Sequence, residues 1–292
     1  MKGDATRIPN TLAVIQDHTR LFQDLTFVYP VISRRSRGLS IGVNLNPDKR
    51  CNFDCVYCEV DRKTPGRAEE VHLGQLKSEL VWLIHFARDG NLGRLPKFNE
   101  VPDLCRVICD LAFSGDGEPT MIPNFAACVE VVVDVKRAEG LSDSKIVLIS
   151  DAAGLDKSDV KRGLELMDRN QGEVWGKLDA GTEDYYLEIN RSAVRFDRIL
   201  NNLLTTARVR PIVIQSLFLK LHGQGMSDQE LDAYCLRLKD IVDSGGAISV
   251  VHAYTIARPT TEAWATRLST MELQAIASRI RRQTGLNVET FD

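Results

Sequence analysis

Three thiols stand within eight residues of one another, in the segment Cys51-Asn52-Phe53-Asp54-Cys55-Val56-Tyr57-Cys58. Thiolates are soft ligands that select zinc or iron–sulfur chemistry. A structural zinc site is closed by four ligands, usually as two separated pairs. Here one short loop supplies three, and no fourth Cys or His lies near it in the sequence. Three thiolates on a cubane cluster leave one iron with an open position, and an open metal position marks a reactive site.

A second constellation reads Phe113-Ser114-Gly115-Asp116-Gly117-Glu118-Pro119-Thr120. Its glycines let backbone groups approach a ligand closely, and Glu118 then sets an acceptor beside a ligand ammonium. An ordinary Gly-rich turn between strand and helix is the competing interpretation. Other candidates follow from the rule that parallel α/β folds bind ligands at the carboxyl ends of their strands. They are Ser150 and Asp151, Lys177 and Asp179, Gln215 and Ser216, and His252 and Tyr254. Ser150 and Asp151 suit hydrogen bonds to a ribose or a carboxylate, and Lys177 and Asp179 suit the same or a substrate. Helix capping and strand-end solvation compete with function at each. His18, His72, His85 and His222 show no partner pattern and read as packing or surface residues.

The elements that position these residues are visible as periodicity. Residues 39–46 alternate strictly: Leu39, Ile41, Val43 and Leu45 on one face, Ser40, Gly42, Asn44 and Asn46 on the other. Leu76, Leu80, Leu83, Ile84 and Ala87 then fall at helical spacing. Strands are predicted at 106–113, 145–150, 173–179, 211–219 and 247–256, and helices at 124–136 and 157–167, with one or two over 183–207. Residues 211–219 form a nearly unbroken apolar run, as expected of a strand buried on both faces. Ser227 with Glu230, and Ser269 with Glu272, read as capping boxes that open the last two helices. Six strand–helix units in alternation imply a parallel α/β fold, either an open partial barrel or a doubly wound sheet. Residues 1–37 read as an irregular leader with a basic knot, Arg34, Arg35 and Arg37, which is either a solvated loop or a contact for phosphate or an acidic partner.

Composition excludes several classes. Of 292 residues, 43% are apolar and 26% charged, which rules out a disordered or fibrous chain. Lys and Arg number 37 against 40 Asp and Glu, a net charge of -3, which argues against a nucleic-acid coat. The polar start and the short apolar runs predict a soluble, cytoplasmic protein. Seven cysteines, an odd number at uneven spacing, fit reduced thiols better than a disulfide framework. Cys105, Cys109, Cys128 and Cys235 read as buried small hydrophobes. On one extended strand, Cys105 and Cys109 would stand about 13 Å apart, too far to share a cubane.

With an aromatic residue before its last cysteine, at the end of a first strand, the Cys-x3-Cys-x2-Cys loop resembles the signature of the radical S-adenosylmethionine superfamily. The segment 113–120 resembles that superfamily's Gly-Gly-Glu motif, which holds the cofactor's amino group. The resemblance implies a partial (β/α)6 barrel over 38–258, with a leader over 1–37 and a C-terminal helical cap over 259–292. It implies a [4Fe-4S] cluster on Cys51, Cys55 and Cys58. S-adenosylmethionine would lie against Tyr57, Ser114, Gly115, Gly117, Glu118, Pro119, Ser150, Asp151, Lys177 and Asp179. The reaction implied is reductive cleavage of that cofactor to a 5′-deoxyadenosyl radical, which abstracts a substrate hydrogen. A one-electron reductant, flavodoxin-like or ferredoxin-like, would feed it.

Lys177-Leu178-Asp179-Ala180-Gly181, Asn190-Arg191 and Tyr254-Thr255-Ile256-Ala257-Arg258-Pro259 resemble the branch that contains the tRNA wyosine synthases. That branch points to Arg191, Gln215, Tyr254 and Arg258 as substrate residues. Its tRNA enzymes carry a second cluster on cysteines upstream of the main motif, whereas residues 1–50 here contain none. With the mildly acidic charge, this disfavours a large tRNA and leaves a nucleoside, a small molecule or a peptide as substrate. Two other readings compete: a glycyl-radical activase, and a zinc-stabilised module that binds RNA or protein through Arg34, Arg35 and Arg37.

Overall fold

The computed structural model describes residues 12, 14, 17, 20–67, 70–258 and 260–292. Its main sheet begins with strand β1 (Val28–Ser33), antiparallel to β2 (Gly38–Val43). Next come helix α1 (Leu73–Arg88), β3 (Ile108–Phe113), α2 (Phe125–Ala138), β4 (Lys145–Ser150), α3 (Ser158–Asp168) and β5 (Gly172–Lys177). Helices α4 (Glu183–Asn190) and α5 (Phe196–Val209) lead to β6 (Ile212–Leu217). A small sheet is made by β7 (Leu219–Leu221), β8 (Gln224–Gly225) and, later, β10 (Ala265–Arg267). Helix α6 (Asp228–Asp243), β9 (Ile248–Tyr254), α7 (Thr270–Thr284) and β11 (Val288–Phe291) complete the chain.

The eight-stranded sheet runs β1-β2-β3-β4-β5-β6-β9-β11, and every pairing from β2 onward is parallel. Each new strand thus joins the same edge. Right-handed crossovers stepping always one way put their helices on one face, and the sheet curls around its bare face as a partial barrel. A doubly wound sheet would reverse its order midway, and this one does not.

Two layers of side chains result. Leu39, Ile41 and Val43 of β2 join the main core under the helices, while Ser40 and Gly42 face the concave side. That concave face carries its own small apolar cluster of Ala112, Val147, Trp175 and Val213. Helix α1 buries its predicted stripe and also Glu79, whose carboxylate accepts the N–H groups of Thr26 and Phe27 at 3.1 and 2.7 Å.

The ends of the chain depart from expectation. Part of the supposedly irregular leader is the edge strand β1, which tolerates Pro30 because an edge strand has one side free of ladder bonds. The expected C-terminal helical cap continues past α7 into β11, which adds a parallel strand beside β9. The strand expected from residue 106 starts at Ile108, and Cys105 lies before it in a 3-10 turn, Leu104–Arg106. Cys105, Cys128 and Cys235 are buried as expected, but Cys109 is only partly buried. Ser269 and Glu272 form a full capping box. Ser227 caps its helix alone, because the Glu230 carboxylate instead accepts the N–H groups of Gly181 and Thr182 at 2.5 and 3.0 Å. Among the described residues, no helix is long and apolar enough to cross a membrane. His18 lies outside the described residues.

Candidate active site

The concave face opens into a cavity of about 330 Å³ at the carboxyl ends of the parallel strands. All three clustered cysteines line it, together with Tyr57, Ser114, Gly115, Gly117, Glu118, Ser150, Asp151, Lys177, Gln215, Tyr254 and Arg258.

The cysteine loop is held from behind. Asp54 and Val56 donate their N–H groups to the carbonyls of Asn190 and Ile189 at 3.0 and 2.9 Å, at the end of α4. Phe53 packs edge-on against Tyr186 at 5.6 Å between ring centroids. The Tyr57 hydroxyl donates to Asp179, and Asn190 Nδ2 donates to that carboxylate at 3.1 Å and to Cys55 Sγ at 3.3 Å. Asp179 also accepts the Leu217 N–H at 2.8 Å. It is therefore a buried post behind the loop rather than a residue of the cavity wall. Arg62 Nη2 donates to Cys58 Sγ at 3.7 Å.

As free thiols Cys51 and Cys55 stay protonated. Burial, followed by the Asp151 carboxylate, pushes Cys51 up to about 12, and burial pushes Cys55 up to about 11. Among the described residues, no three His, Cys, Asp or Glu side chains converge as ligands of a single ion would. One zinc ion draws its thiolates to about 2.3 Å from itself, whereas a cubane receives each thiolate at a different iron. Three thiolates on one loop are a donor set that a cubane cluster can take.

The glycines of the Gly-rich segment also serve the packing of the chain itself. A Cβ at Gly117 would strike the Arg50 carbonyl, and one at Gly115 would strike the Asn44 amide. The glycines admit the neighbouring protein chain, and Glu118 N–H then bonds the Arg50 carbonyl at 3.0 Å. This locks the segment to the cysteine loop. Glu118 itself is buried; its carboxylate accepts from Thr120 Oγ1 at 2.6 Å, Ser150 Oγ at 2.8 Å and Asp151 N–H at 2.8 Å. Pro119 opens the 3-10 turn Pro119–Met121 and stays out of the cavity lining.

Asp151 accepts from Ala153 N–H through Oδ1 at 2.8 Å, while its buried Oδ2 has no hydrogen-bond partner among the described residues. Burial, then the neighbouring Glu118, pushes its pKa well up; burial raises that of Glu118 too, against four hydrogen bonds. Among the described residues neither carboxyl is ion-paired, and the free Asp151 Oδ2 suits a donor or positive group of a ligand.

Across the cavity, Lys177 Nζ donates to the Tyr254 hydroxyl at 2.7 Å and lies 3.6 Å from Asp179 and 4.8 Å from the Tyr57 ring centroid. Burial opposes its charge, but Asp179 and Tyr254 outweigh burial and push its pKa up. Arg258 pairs with Glu59. Arg191 is not brought to the cavity: it is the left-handed residue ending α4 and pairs with Glu262 at 2.7 Å. Ser216 is buried behind the sheet against the Tyr234 hydroxyl at 2.6 Å, and His252 sits edge-on to Trp175 and Phe291.

Several lining residues were given no role by the sequence. Asp116, inside the Gly-rich segment, pairs with Arg20 at 2.9 Å and accepts from Asn44 Nδ2 at 2.7 Å. The Tyr29 hydroxyl meets Ser114 Oγ at 3.1 Å. The only sequence signal for these partners was the small, polar face of β2. Arg35 also lines the cavity; it was legible as a cation, but not as one turned inward.

No family model matches the chain. A UPF0026 protein of Methanocaldococcus jannaschii is 29% identical over 185 residues, 62% of this chain and 49% of that protein. A UPF0026 protein of Helicobacter pylori is 28% identical over 233 residues, 79% of this chain and 66% of that protein. A GTPase Obg of Brachyspira hyodysenteriae is 24% identical over 182 residues but only 23% of it is covered. This chain has no Gly-x4-Gly-Lys-Ser/Thr loop of the kind that cradles nucleotide phosphates. The chain thus spans about half the length of the first curated relative it matches.

Among solved structures, a radical SAM methyltransferase from Sphaerobacter thermophilus superposes with a TM-score of 0.60 at 15% identity, over 87% of this chain and 66% of that one. Streptococcus suis SuiB, bound to S-adenosylmethionine, gives 0.57 at 13% over 86% of this chain and 50% of that one. TYW1 with a lysine–pyruvate adduct bound gives 0.52 at 17% over 83% of this chain and 73% of that one. The chain shares the fold of these enzymes.

Proposed function

We propose that this chain is a radical S-adenosylmethionine enzyme, with one [4Fe-4S] cluster on Cys51, Cys55 and Cys58 and the cofactor in the cavity beside Glu118 and Asp151. Reduced by one electron, such a cluster cleaves S-adenosylmethionine to methionine and a 5′-deoxyadenosyl radical that takes a hydrogen atom from a substrate. The protein's own residues bind, orient and shield. Asp151, with its unpartnered buried oxygen, and Glu118 beside it receive the cofactor's ammonium. Ser150 and Thr120 fix the rotamer of Glu118. Asn190, Tyr57 and Asp179 hold the cysteine loop at one position relative to that pair. Ala112, Val147, Ile149 and Trp175 give the concave wall an apolar surface that excludes water.

One observation carries this reading: three cysteines and a carboxyl pair with one unpartnered buried oxygen, from different strand ends, face the same cavity. The shared fold supports it. A flavodoxin-like or ferredoxin-like protein is the proposed electron donor. The seven free cysteines fit a reducing cytoplasm.

The test is anaerobic reconstitution followed by metal analysis and turnover. The reading expects about four irons and four sulfides per chain, little zinc, and 5′-deoxyadenosine release with reductant. Cys58→Ala should abolish that release. One tightly bound zinc per chain in place of iron would support the binding-module alternative instead.

A further inference from the structure

We infer that the substrate carries an anionic group, a carboxylate or a phosphate, and that Arg35 receives it inside the cavity. The inference deepens the proposed function and rests on the same cavity being the reaction site.

The basic knot of the β1–β2 turn divides into three tasks. Arg37 is exposed, with a left-handed backbone. Arg34 donates to the Asp292 carbonyl, tying the β1 edge of the sheet to the end of the chain beyond β11. Arg35 turns inward. Its guanidinium lies 4.6 Å from the Tyr254 ring centroid and 5.3 Å from that of Phe291. Its Nε is buried with no hydrogen-bond partner, and the carboxylate whose charge reaches it, Glu59, is paired with Arg258. Aromatic faces compensate a buried guanidinium only in part; a carboxylate or phosphate matches its planar fork bidentately. Gln215 on β6 adds a second unpartnered buried donor, Nε2, to the same cavity.

The cofactor's own carboxylate does not answer this demand. It shares a carbon with the amine that Glu118 and Asp151 would hold, at the end of β4. Tyr254 ends β9, three strand spacings away in the sheet order β4-β5-β6-β9. At about 4.8 Å per spacing this is about 14 Å along the sheet. The cavity is therefore bipolar: a cation-seeking end at β3 and β4, and an anion-seeking end at β6, β9 and the β1–β2 turn. A second ligand, the substrate, fills the latter.

The test is calorimetric titration of the anaerobically reconstituted protein with acetate, malonate and inorganic phosphate as probes, both without cofactor and with saturating S-adenosylmethionine. At least one probe should bind. Arg35→Gln should weaken it by about tenfold or more, the loss of a charge-assisted pair, and Arg35→Lys by less. Arg37→Gln should leave it unchanged. Thermal unfolding of each variant separates lost binding from lost folding. No binding to wild type up to tens of millimolar, or equal affinity in wild type and a folded Arg35→Gln, overturns the inference. The 5′-deoxyadenosine assay on the same samples separates the two claims. Cleavage without Arg35-dependent anion binding sinks only the anion site, while Arg35-dependent binding without cleavage sinks the radical reading and leaves the anion site standing.

Discussion

Arg62 and His252 show how single side chains set the chemistry around this cavity. Arg62 contacts Cys58 Sγ, and its charge faces all three thiols. A fixed cation beside a cluster favours its reduced, more negative state. Arg62→Ala is therefore expected to lower the cluster's midpoint potential by tens of millivolts, read by anaerobic redox titration with EPR detection. His252 is buried, and burial, then Arg35 and Lys145, hold its pKa down to about 3. Its unfolded value is about 6.5, so between these limits the unfolded chain binds the extra proton. Stability from this site is complete above that unfolded value and drains away as pH falls toward the folded one. Urea titrations between neutrality and mild acid should show a shallower loss for His252→Gln than for wild type. The cysteines, Glu118 and Lys177 were legible as residues that share one cavity. Asp116 and Tyr29 were not, because their partners Arg20 and Ser114 lie 96 and 85 positions away in the chain.

At the scale of elements, the strand-end loops hold one another in place. Gly117 is the tightest joint, since a side chain there meets the Arg50 carbonyl just ahead of Cys51. Gly117→Ala is expected to cost about 1–3 kcal/mol from overpacking and to lower iron content after reconstitution. A variant that holds full iron at unchanged Tm would contradict that coupling. Local rules served best where an element is self-contained. The capping box of α7 lies within four residues, and Glu272, hydrogen-bonded by Lys220 and Ser269, has its pKa lowered to about 2. Its contribution is present above the ordinary carboxylate range and lost as pH falls toward that value, so the stability gap between wild type and Glu272→Gln should close in acid. The same motif at α6 formed only by half because Glu230 is recruited by Gly181 and Thr182, nearly fifty residues earlier. Likewise β11, four residues long, is defined by its pairing with β9 and not by its own pattern.

At the scale of the whole molecule, six strand–helix units were readable from periodicity, but curling was not. Alternation alone permits a doubly wound sheet; the one-way strand order excludes it and leaves one face bare for the cavity. A net charge of -3 conceals the feature that matters, an unpartnered carboxyl oxygen of Asp151 and an unpartnered Arg35 Nε lining one cavity. Composition could not reveal this, because it is a property of burial. The central claim is that the cysteine loop and the Glu118–Asp151 pair serve one bound cofactor. EPR of the dithionite-reduced, reconstituted protein with and without S-adenosylmethionine tests it most directly. The cofactor is expected to change the cluster signal in wild type, and Asp151→Asn to need a markedly higher cofactor concentration for the same change. A cluster signal indifferent to S-adenosylmethionine in wild type, at full iron loading, would contradict it.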